Sequence, residues 1–364
     1  MKVLGIETSC DECSAAVVED GEKILSNIIM TQIPFHARWN GVVPEIASRK
    51  HVEWIYAVTK GAIEKAELTA ADIDAVSVTN RPGLLGSLLV GLSFAKAFSW
   101  ARNIPYIAVD HMLAHLYAPK LGIEEKKAGD REQKINDKEE DETEKPEYPF
   151  LGLLVSGGHT IICRADDFDD ITILGTTIDD AAGEAFDKVA KHYNFGYPGG
   201  AVIDKMSKEG DSGAFCFPMP SLHKGSHRCD VSYSGLKNAA VNQLDIFKKN
   251  KEIPHTKEDI AASFQKTAVD ILLRALFNAV EDTGLTTVVA GGGVAANSYL
   301  RGRLSLNPGL RCVFPPLELC GDNAAMVAGI GYHYLARGEV SPLNETASAR
   351  VNGFKKRYPQ EKSL

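Results

Sequence analysis

The chain has no apolar run long enough to cross a membrane, and aromatic residues make up only 8% of its 364 residues. Its first residues, MKVLGIETSCDE, become polar too early for a secretory signal peptide. Seven cysteines, an odd number scattered along a long chain, favour free thiols over a disulfide framework. We therefore predict a cytoplasmic globular protein without membrane association, long enough for two lobes.

Two common catalytic motifs are also missing. No GxxxxGK[ST] run occurs, which excludes a P-loop nucleotide site. In the run VDHMLAHLY, Met112 stands where the zinc-protease motif HExxH has its general-base glutamate. The sequence therefore argues against a metallopeptidase of that type, even though two histidines are present.

Negative charge is concentrated in one segment. Residues 124–147 contain 11 acidic and 6 basic side chains, which accounts for most of the net charge of −8. The segment has no hydrophobic periodicity, so we predict an acidic mobile insertion at the surface. The rest of the chain is nearly neutral, which leaves room for a local basic surface and an RNA partner.

The insertion separates two halves that begin alike, which predicts an α/β fold with a duplicated lobe and a central cleft. Each half opens with a strand, a tight polar turn and two further strands. Alternatively, the likeness is only what any two α/β halves share. Helical spacing occurs at 44–67, 86–101, 180–193 and 257–283, and buried strands are predicted at IDAVSVT and TTVVAGG. The predicted parts are an N-terminal lobe at 1–123, the insertion at 124–147, a C-terminal lobe at 148–345, a helix near 322–338 that packs back on the first lobe, and a basic tail at 346–364.

His111 and His115 are the most informative pair in the sequence. A separation of four residues places both imidazoles on one helix face, where they can bind one cation. The preceding run PYIAVD is typical of a buried strand, so the pair lies where a strand enters a helix. Asp322 is the best candidate for a third ligand. The alternatives are two packed histidines and, for Asp322 before an apolar helix, an N-cap.

Three small-residue turns predict contact with a ligand. They are ETSCDE at 7–12, VSGGHT at 155–160 and AGGGVAAN at 290–297. Glycine lets the backbone approach a ligand, and consecutive N–H groups can bind phosphate oxygens. We expect the third turn to enter a helix at Val294. Asp187, in DDAAGEAFDK, either binds ligand hydroxyls in the cleft or pairs with Lys191 on the helix surface.

Together these runs resemble one family, the bacterial TsaD proteins, which are tRNA adenosine threonylcarbamoyltransferases related to the archaeal and eukaryotic KEOPS catalytic subunit. The similar runs occur in the family's order between residue 3 and about residue 330. They are GIETSCDE, GVVPEIASRKH, PGLLGSLLVG, HMLAH, LLVSGGHT, IDDAAGEAFDK, YPGG, YSGLK, AGGGVAAN and DNAAM. The resemblance implies a duplicated actin-like fold with two lobes and a central cleft.

The resemblance also implies site residues and cofactors. It assigns one divalent metal ion, iron(II) with zinc as the alternative, to His111, His115 and Asp322. A threonylcarbamoyl-adenylate, with its adenine nucleotide in the cleft, is implied to lie against Leu154, Val155, Ser156, Gly157 and Gly158. Asp187, Gly200, Asp204 and Asn297 are implied around its nucleotide end. Asp11 and Glu12 match family acids near the reaction centre, and we predict that Glu12 accepts the proton of the attacking amine.

The implied reaction transfers the threonylcarbamoyl group to the exocyclic amine of the adenosine beside the anticodon, in tRNAs that read codons beginning with A, and releases AMP. The implied partners are tRNA, a TsaB-like paralogue and a TsaE-like ATPase. The alternatives are an ATPase or kinase of the actin, Hsp70 and sugar-kinase superfamily, a metallopeptidase, and a non-catalytic RNA-binding subunit. Arg81, Asp110, Cys13 and Gly321 depart from the family pattern, and Arg81 offers a phosphate contact.

Overall fold

The fold is taken from a computed structural model, which describes residues 1–123, 145–222, 227–249, 255–350 and 355–356. Residues 124–144, most of the predicted mobile insertion, lie outside the described residues, as does part of the predicted basic tail. The limits predicted for the lobes, the insertion and the tail therefore stay predictions.

The first half of the chain builds a six-stranded sheet in the order β5-β4-β1-β2-β3-β6. Strands β1, β2 and β3 are antiparallel, whereas β4 and β5 continue the sheet parallel to β1. The strands are β1 Lys2–Glu7, β2 Glu12–Glu19, β3 Lys23–Thr31, β4 Ala75–Arg81, β5 Tyr106–Asp110 and β6 Gly122–Ile123.

The second sheet repeats this topology, in the order β11-β10-β7-β8-β9-β12. Again three antiparallel strands come first, and two strands parallel to the first of them follow. The strands are β7 Phe150–Val155, β8 Thr160–Ala165, β9 Ile171–Thr176, β10 Thr287–Gly291, β11 Arg311–Val313 and β12 Lys355–Lys356. The equal order and direction of the strands confirm the predicted duplication.

The long predicted helices are all present, with ends shifted by at most two residues. Apolar spacing and local caps explain them; α8, for example, begins at a capping box between Thr256 and Asp259. The helices are α1 Ile33–His36, α2 Pro44–Lys65, α3 Leu85–Arg102, α4 His111–Tyr117, α5 Ala182–Tyr193, α6 Gly199–Met206, α7 Ser234–Lys249, α8 Lys257–Thr283, α9 Ser298–Ser305 and α10 Ala324–Ala336. In the part of the chain that the structure describes, no helix is both long and apolar enough to span a bilayer.

Each half of the chain lends one helix to the other half's sheet. Helix α10 packs closely on β1, because Gly5 has no Cβ; an added Cβ would lie 2.1 Å from the carbonyl oxygen of Ala324. Helix α4 packs against β7 in the same way, where an added Cβ on Gly152 would lie 2.7 Å from Leu116. Side chains of both helices and both sheets share one buried core. The N-terminal ends of these two helices thus meet between the sheets.

Candidate metal centre and cleft

Helix α4 places His111 and His115 at the junction of the two sheets. Asp110 ends β5 and caps the helix, because its side chain accepts a hydrogen bond from the Met112 N–H at 2.9 Å. All seven residues of α4 are buried, so neither imidazole is a surface group. The two Nε2 atoms lie 3.1 Å apart. This confirms that the spacing of four brings both rings to one point.

Asp322 supplies a third ligand atom from the loop before α10. Its Oδ1 lies 3.1 Å from Nε2 of His115 and 3.4 Å from Nε2 of His111. Ligands at roughly 2.0–2.1 Å from a tetrahedral ion lie about 3.3 Å from one another, so these separations fit one shared divalent cation. The three residues form a group that can hold a metal ion. Two imidazole nitrogens and one carboxylate oxygen leave further coordination positions open.

The N-cap interpretation of Asp322 is wrong. The cap of α10 is Asn323, whose side chain accepts a hydrogen bond from the Met326 N–H at 3.1 Å. Asn323 also donates to the backbone oxygens of Leu319 and Gly321, which orders the loop before the helix. Because Asn323 satisfies the helix terminus, the carboxylate of Asp322 is free to face the histidines.

Glu7, at the end of β1, fixes the orientation of His111. Its Oε2 lies 3.1 Å from Nδ1 of His111, and since a carboxylate only accepts, that nitrogen carries the proton. Its Nε2 faces the other two ligands. Glu7 is itself held by the backbone N–H of Ser9 and the hydroxyl of Thr79. A carboxylate that orients a ligand histidine in this way is common around protein-bound metals.

The buried metal group and Glu7 place groups of opposite charge close together. Burial alone would lower the pKa of His111, but the carboxylates of Asp322 and Glu7 outweigh it and raise that pKa well above its usual value. Burial would raise the pKa of Asp322, yet His111 and His115 lower it strongly. Burial and the neighbouring His111 lower the pKa of His115. The site therefore favours a positive charge between the imidazoles and the carboxylates.

The metal group lies in the wall of a cleft of about 760 Å³, which a second cavity of about 420 Å³ adjoins. Gly157, Asp187, Pro198 and Gly293 line both cavities, so the two cavities share part of their wall. Among the predicted site residues, the larger cavity is lined by Asp11, Glu12, His111, Ser156, Gly157, Gly158, Asp187 and Asp322. The smaller one is lined by Gly157, Asp187, Gly200, Asp204 and Asn297.

Two predicted substrate residues do not line either cavity. Leu154 and Val155 are buried in β7, with exposed fractions of 0% and 1%, because both faces of the sheet are covered and the two side chains enter different hydrophobic cores. Only the turn after the strand, Ser156 to Gly158, reaches the cleft.

The third glycine-rich turn differs from the predicted helix start at Val294. It forms a short 3-10 turn at Gly293–Ala296, and the helix α9 starts at Ser298.

The polar residues around the smaller cavity are partly engaged within the protein. Asp187 accepts a hydrogen bond from the Gly199 N–H at 2.7 Å instead of pairing with Lys191. Burial raises its pKa, an effect that the Gly199 and Gly200 N–H groups oppose. Asp204 accepts from the hydroxyl of Ser298 at 2.9 Å. Asn297 caps α9 and donates to Gln265, so its side chain is occupied by structural bonds.

Asp11 lies in the turn between β1 and β2, and Glu12 is the first residue of β2; both line the cleft. The hydroxyl of Thr31 donates to Glu12 at 3.1 Å. Burial and the adjacent charge of Asp11 raise the pKa of Glu12 well above its usual value. A carboxyl group with a raised pKa in a cleft is suited to accept or donate a proton near neutral pH.

Three functional candidates were missed or left unassigned in the sequence. Glu7 lies within the run GIETSCDE, and a charged residue at the end of an apolar strand is the sequence feature that could indicate its role. His159 lines the cleft, and burial together with His111 and His115 lowers its pKa to about 4. Tyr197 also lines the cleft, where burial and Asp11 raise its pKa. No local pattern distinguishes these two side chains from ordinary turn residues.

Arg81 and Asp110 form an ion pair beside the start of α4. Arg81 lies 3.5 Å from the carboxylate of Asp110 at the shared edge of β4 and β5. Burial raises the pKa of Asp110, which the bond from Met112 and the charge of Arg81 oppose. Arg81 is therefore engaged beside the cap of α4, which leaves it less available for the predicted phosphate contact.

Comparison with known proteins gives concordant results. A sequence model of the family described as "TsaD: tRNA N6-adenosine threonylcarbamoyltransferase" matches residues 23–129 and 136–329. A Treponema denticola protein named tRNA N6-adenosine threonylcarbamoyltransferase is 60% identical over 360 residues, covering 99% of this chain and 100% of that protein. A Treponema pallidum protein of the same name is 52% identical over 357 residues, covering 98% of this chain and 95% of that protein.

Solved structures show the fold alone. Component A of the (R)-2-hydroxyglutaryl-CoA dehydratase of Acidaminococcus fermentans superposes with a TM-score of 0.51 at 14% identity, covering 92% of this chain and 99% of that one. With the repeated sheet topology, this likeness confirms the predicted duplicated actin-like fold.

Proposed function

This chain belongs to the TsaD family of tRNA N6-adenosine threonylcarbamoyltransferases, and we propose that its reaction centre is the cleft where His111, His115 and Asp322 bind one divalent metal ion. As a family member, the chain transfers a threonylcarbamoyl group to the N6 amine of an adenosine in tRNA. One observation supports the location: three ligand atoms converge in the wall of the cavity that also exposes Asp11 and Glu12.

We propose iron(II) as the native metal, with zinc as the alternative. Two histidines and one carboxylate with open positions are the ligand set of many non-haem iron(II) sites, and zinc accepts the same donors. A metal ion bound there supplies a Lewis acid that polarises a carbonyl or neutralises phosphate. Glu7 orients His111, and burial in α4 fixes the ring of His115, so the chain presents both imidazoles already oriented.

The donor substrate is threonylcarbamoyl-adenylate in this proposal. Its nucleotide end occupies the smaller cavity, where the carboxylates of Asp187 and Asp204 accept hydrogen bonds from sugar hydroxyls. Gly200 and Gly293 expose backbone beside the same space, because an added Cβ on either would meet nothing within 4 Å. Asn297 shapes the cavity through the start of α9, since its side chain is already hydrogen bonded.

In the transfer step, the adenosine N6 attacks the carbamoyl carbon of the mixed anhydride. The bond between that carbon and the phosphate oxygen breaks, and AMP leaves. The N–H groups of Gly157 and Gly158 stabilise the negative charge that develops on the carbamoyl oxygen, since the Ser156 N–H already donates to the backbone oxygen of His159. Glu12 accepts the proton that N6 loses, with Asp11 beside it keeping its basicity high.

The proposed partners are tRNA, a TsaB-like paralogue and a TsaE-like ATPase, and the expected location is the cytoplasm, where tRNA is modified. The sequence runs that resemble the family support this proposal.

The test combines the purified chain with its helper subunits, tRNA and the donor-forming system of threonine, bicarbonate, ATP and an adenylate-forming enzyme. The modified adenosine is then measured by mass spectrometry of tRNA digests. We expect His111→Ala to lower its formation by about 100-fold or more, and the exposed His192→Ala to leave it unchanged. Equal product from His111→Ala and wild type would overturn the metal-centre proposal.

A further inference from the structure

A short segment at the rim of the cleft has one face fixed to the catalytic turn and the other face open to solvent. The segment comprises α1, Ile33–His36, and the 3-10 turn Ala37–Trp39. At its start the N–H of Gln32 donates to the backbone oxygen of Asp11 at 2.9 Å. The ring of His36 is buried and lies 3.2 Å from Oε1 of Gln32. The bond from Gln32 therefore holds the start of the segment against Asp11, the residue before the proposed general base Glu12.

The open face of this segment is aromatic and basic. Trp39 is 52% exposed and Phe35 is 42% exposed, although both are large apolar rings. The guanidinium of Arg38 lies 5.2 Å from the ring centre of Trp39, and Nζ of Lys50 lies 4.8 Å from that of Phe35. We call these four side chains, Phe35, Arg38, Trp39 and Lys50, the rim patch. Both rings are exposed and each has a cationic side chain beside it, so core packing does not explain why large aromatic residues occur here.

The rim patch borders the reaction space directly. Ile33 precedes it and Asn40 follows it, and both line the larger cavity together with His111 and Glu12. From the opposite side of the cleft, Lys191 donates to the backbone oxygen of Trp39 at 3.2 Å. Trp39 is therefore the chain neighbour of one residue that lines the cavity, Asn40, and Phe35 lies two residues from another, Ile33.

We propose that the rim patch binds unpaired bases of the tRNA anticodon loop by stacking, and thereby presents the target adenosine to the cleft. The target amine lies on a base that must leave its neighbours to enter a cavity, and loop bases displaced in this way stack on aromatic rings and on guanidinium planes. Charge complementarity favours RNA, because Arg38 has no carboxylate partner among the described residues and is free to meet phosphate, whereas Lys50 pairs with Glu53 at 2.6 Å.

This inference rests on the proposed location of the reaction in the cleft, but not on the metal. The test measures binding of the full chain to a fluorescent RNA hairpin with the anticodon stem and loop, by fluorescence anisotropy. The same stem closed into a continuous duplex serves as the second probe. We expect Trp39→Ala to weaken hairpin binding by about 10-fold, the scale of one lost base–aromatic stack, and Trp39→Phe to restore most of it. Duplex binding should not change.

A matched control is available in Trp100, which is 74% exposed near the end of α3, about 22 Å along that helix from its start at the cleft. Trp100→Ala should bind the hairpin as wild type does. In the complete reaction, Trp39→Ala should raise the KM for tRNA and leave the KM for the donor unchanged. Normal hairpin binding by Trp39→Ala, or an equal loss for hairpin and duplex, would overturn the inference. His111→Ala should bind the hairpin normally, which separates this inference from the metal proposal.

Discussion

At the residue scale, the least expected feature is the fully buried Glu7. A carboxylate at the end of an apolar strand is costly unless it is paired and hydrogen bonded. Burial would raise its pKa, but His111 outweighs this and lowers it, so the group is ionised. Two ordered donors, the Ser9 N–H and the Thr79 hydroxyl, leave one direction open, and His111 occupies it. Glu7 thus acts on the metal centre only through the orientation of one imidazole.

Glu7→Gln tests this positioning role. The amide has nearly the same shape but lacks the charge, so it orients His111 and supports its ligand nitrogen less well. We expect metal affinity to fall by about 10- to 100-fold while the fold is retained. Competition against a chromogenic chelator measures the affinity, and circular dichroism checks the fold. The exposed Glu45→Gln is the control; if both variants bind metal as wild type does, Glu7 has no such role.

At the scale of the element, the start of α10 separates two roles that the sequence could not separate. Asn323 satisfies the helix terminus, and Asp322 faces the histidines. We expect Asn323→Ala to lower the free energy of unfolding by about 1–2 kcal/mol, because the helix cap is lost, and to weaken metal binding much less than Asp322→Ala does. Asp322→Ala should abolish metal binding with a smaller effect on stability. Denaturant unfolding and metal analysis on the two variants check this, and exchanged effects would contradict the assignment.

At the same scale, a buried histidine connects α2 to the turn between β1 and β2. His51, on α2, lies with Nε2 at 2.9 Å from the backbone oxygen of Cys10, so this nitrogen donates. Its Nδ1 has no hydrogen-bond partner among the described residues. Burial lowers the pKa of His51, with weaker opposing effects from the Cys10 carbonyl and the charge of Glu7. The folded protein therefore holds this imidazole neutral.

The lowered pKa of His51 makes stability depend on pH. In the unfolded chain the ring gains a proton below about pH 6.5, whereas in the folded chain it resists until lower pH. Its contribution to stability is therefore complete above about pH 6.5 and falls as the pH decreases, by at most about 1.4 kcal/mol per pH unit. His51→Gln, which keeps a donor near Cys10, should flatten this decline. His192→Gln on the surface should not, and equal slopes for wild type and His51→Gln would contradict the account.

At the scale of the whole molecule, the exchange of α4 and α10 between the two sheets explains why the site lies where it does. The ligands His115 and Asp322 are 207 residues apart in sequence. They meet because His115 lies on α4 and Asp322 lies just before α10, the two exchanged helices. The cleft lies between the two halves of the duplicated fold, and the exchanged helices α4 and α10 place the metal ligands in its wall. The site therefore depends on both halves of the chain being folded and docked.

Much of this could be predicted from the sequence, because the information is local. Helical periodicity located α2, α3, α5 and α8, and the spacing of His111 and His115 predicted a shared face. The remaining features depend on distant pairs. The local pattern fits Asp322 both as a metal ligand and as a helix cap, and only the folded chain shows that Asn323 is the cap. The sequence offers Arg81 for a phosphate contact, whereas in the structure it lies 3.5 Å from the carboxylate of Asp110. The role of Glu7 depends on a residue 104 positions away, because its Oε2 lies 3.1 Å from Nδ1 of His111 only in the folded chain.

The most direct measurement of the central claim is a metal titration of the transfer reaction. Wild-type protein stripped of metal should make little modified adenosine, and activity should return linearly with added iron(II) until one ion per chain is bound. Asp322→Ala, stripped and titrated alongside it, should stay inactive. Full activity of the stripped wild type, or equal recovery of Asp322→Ala, would contradict a metal-dependent reaction centre at His111, His115 and Asp322.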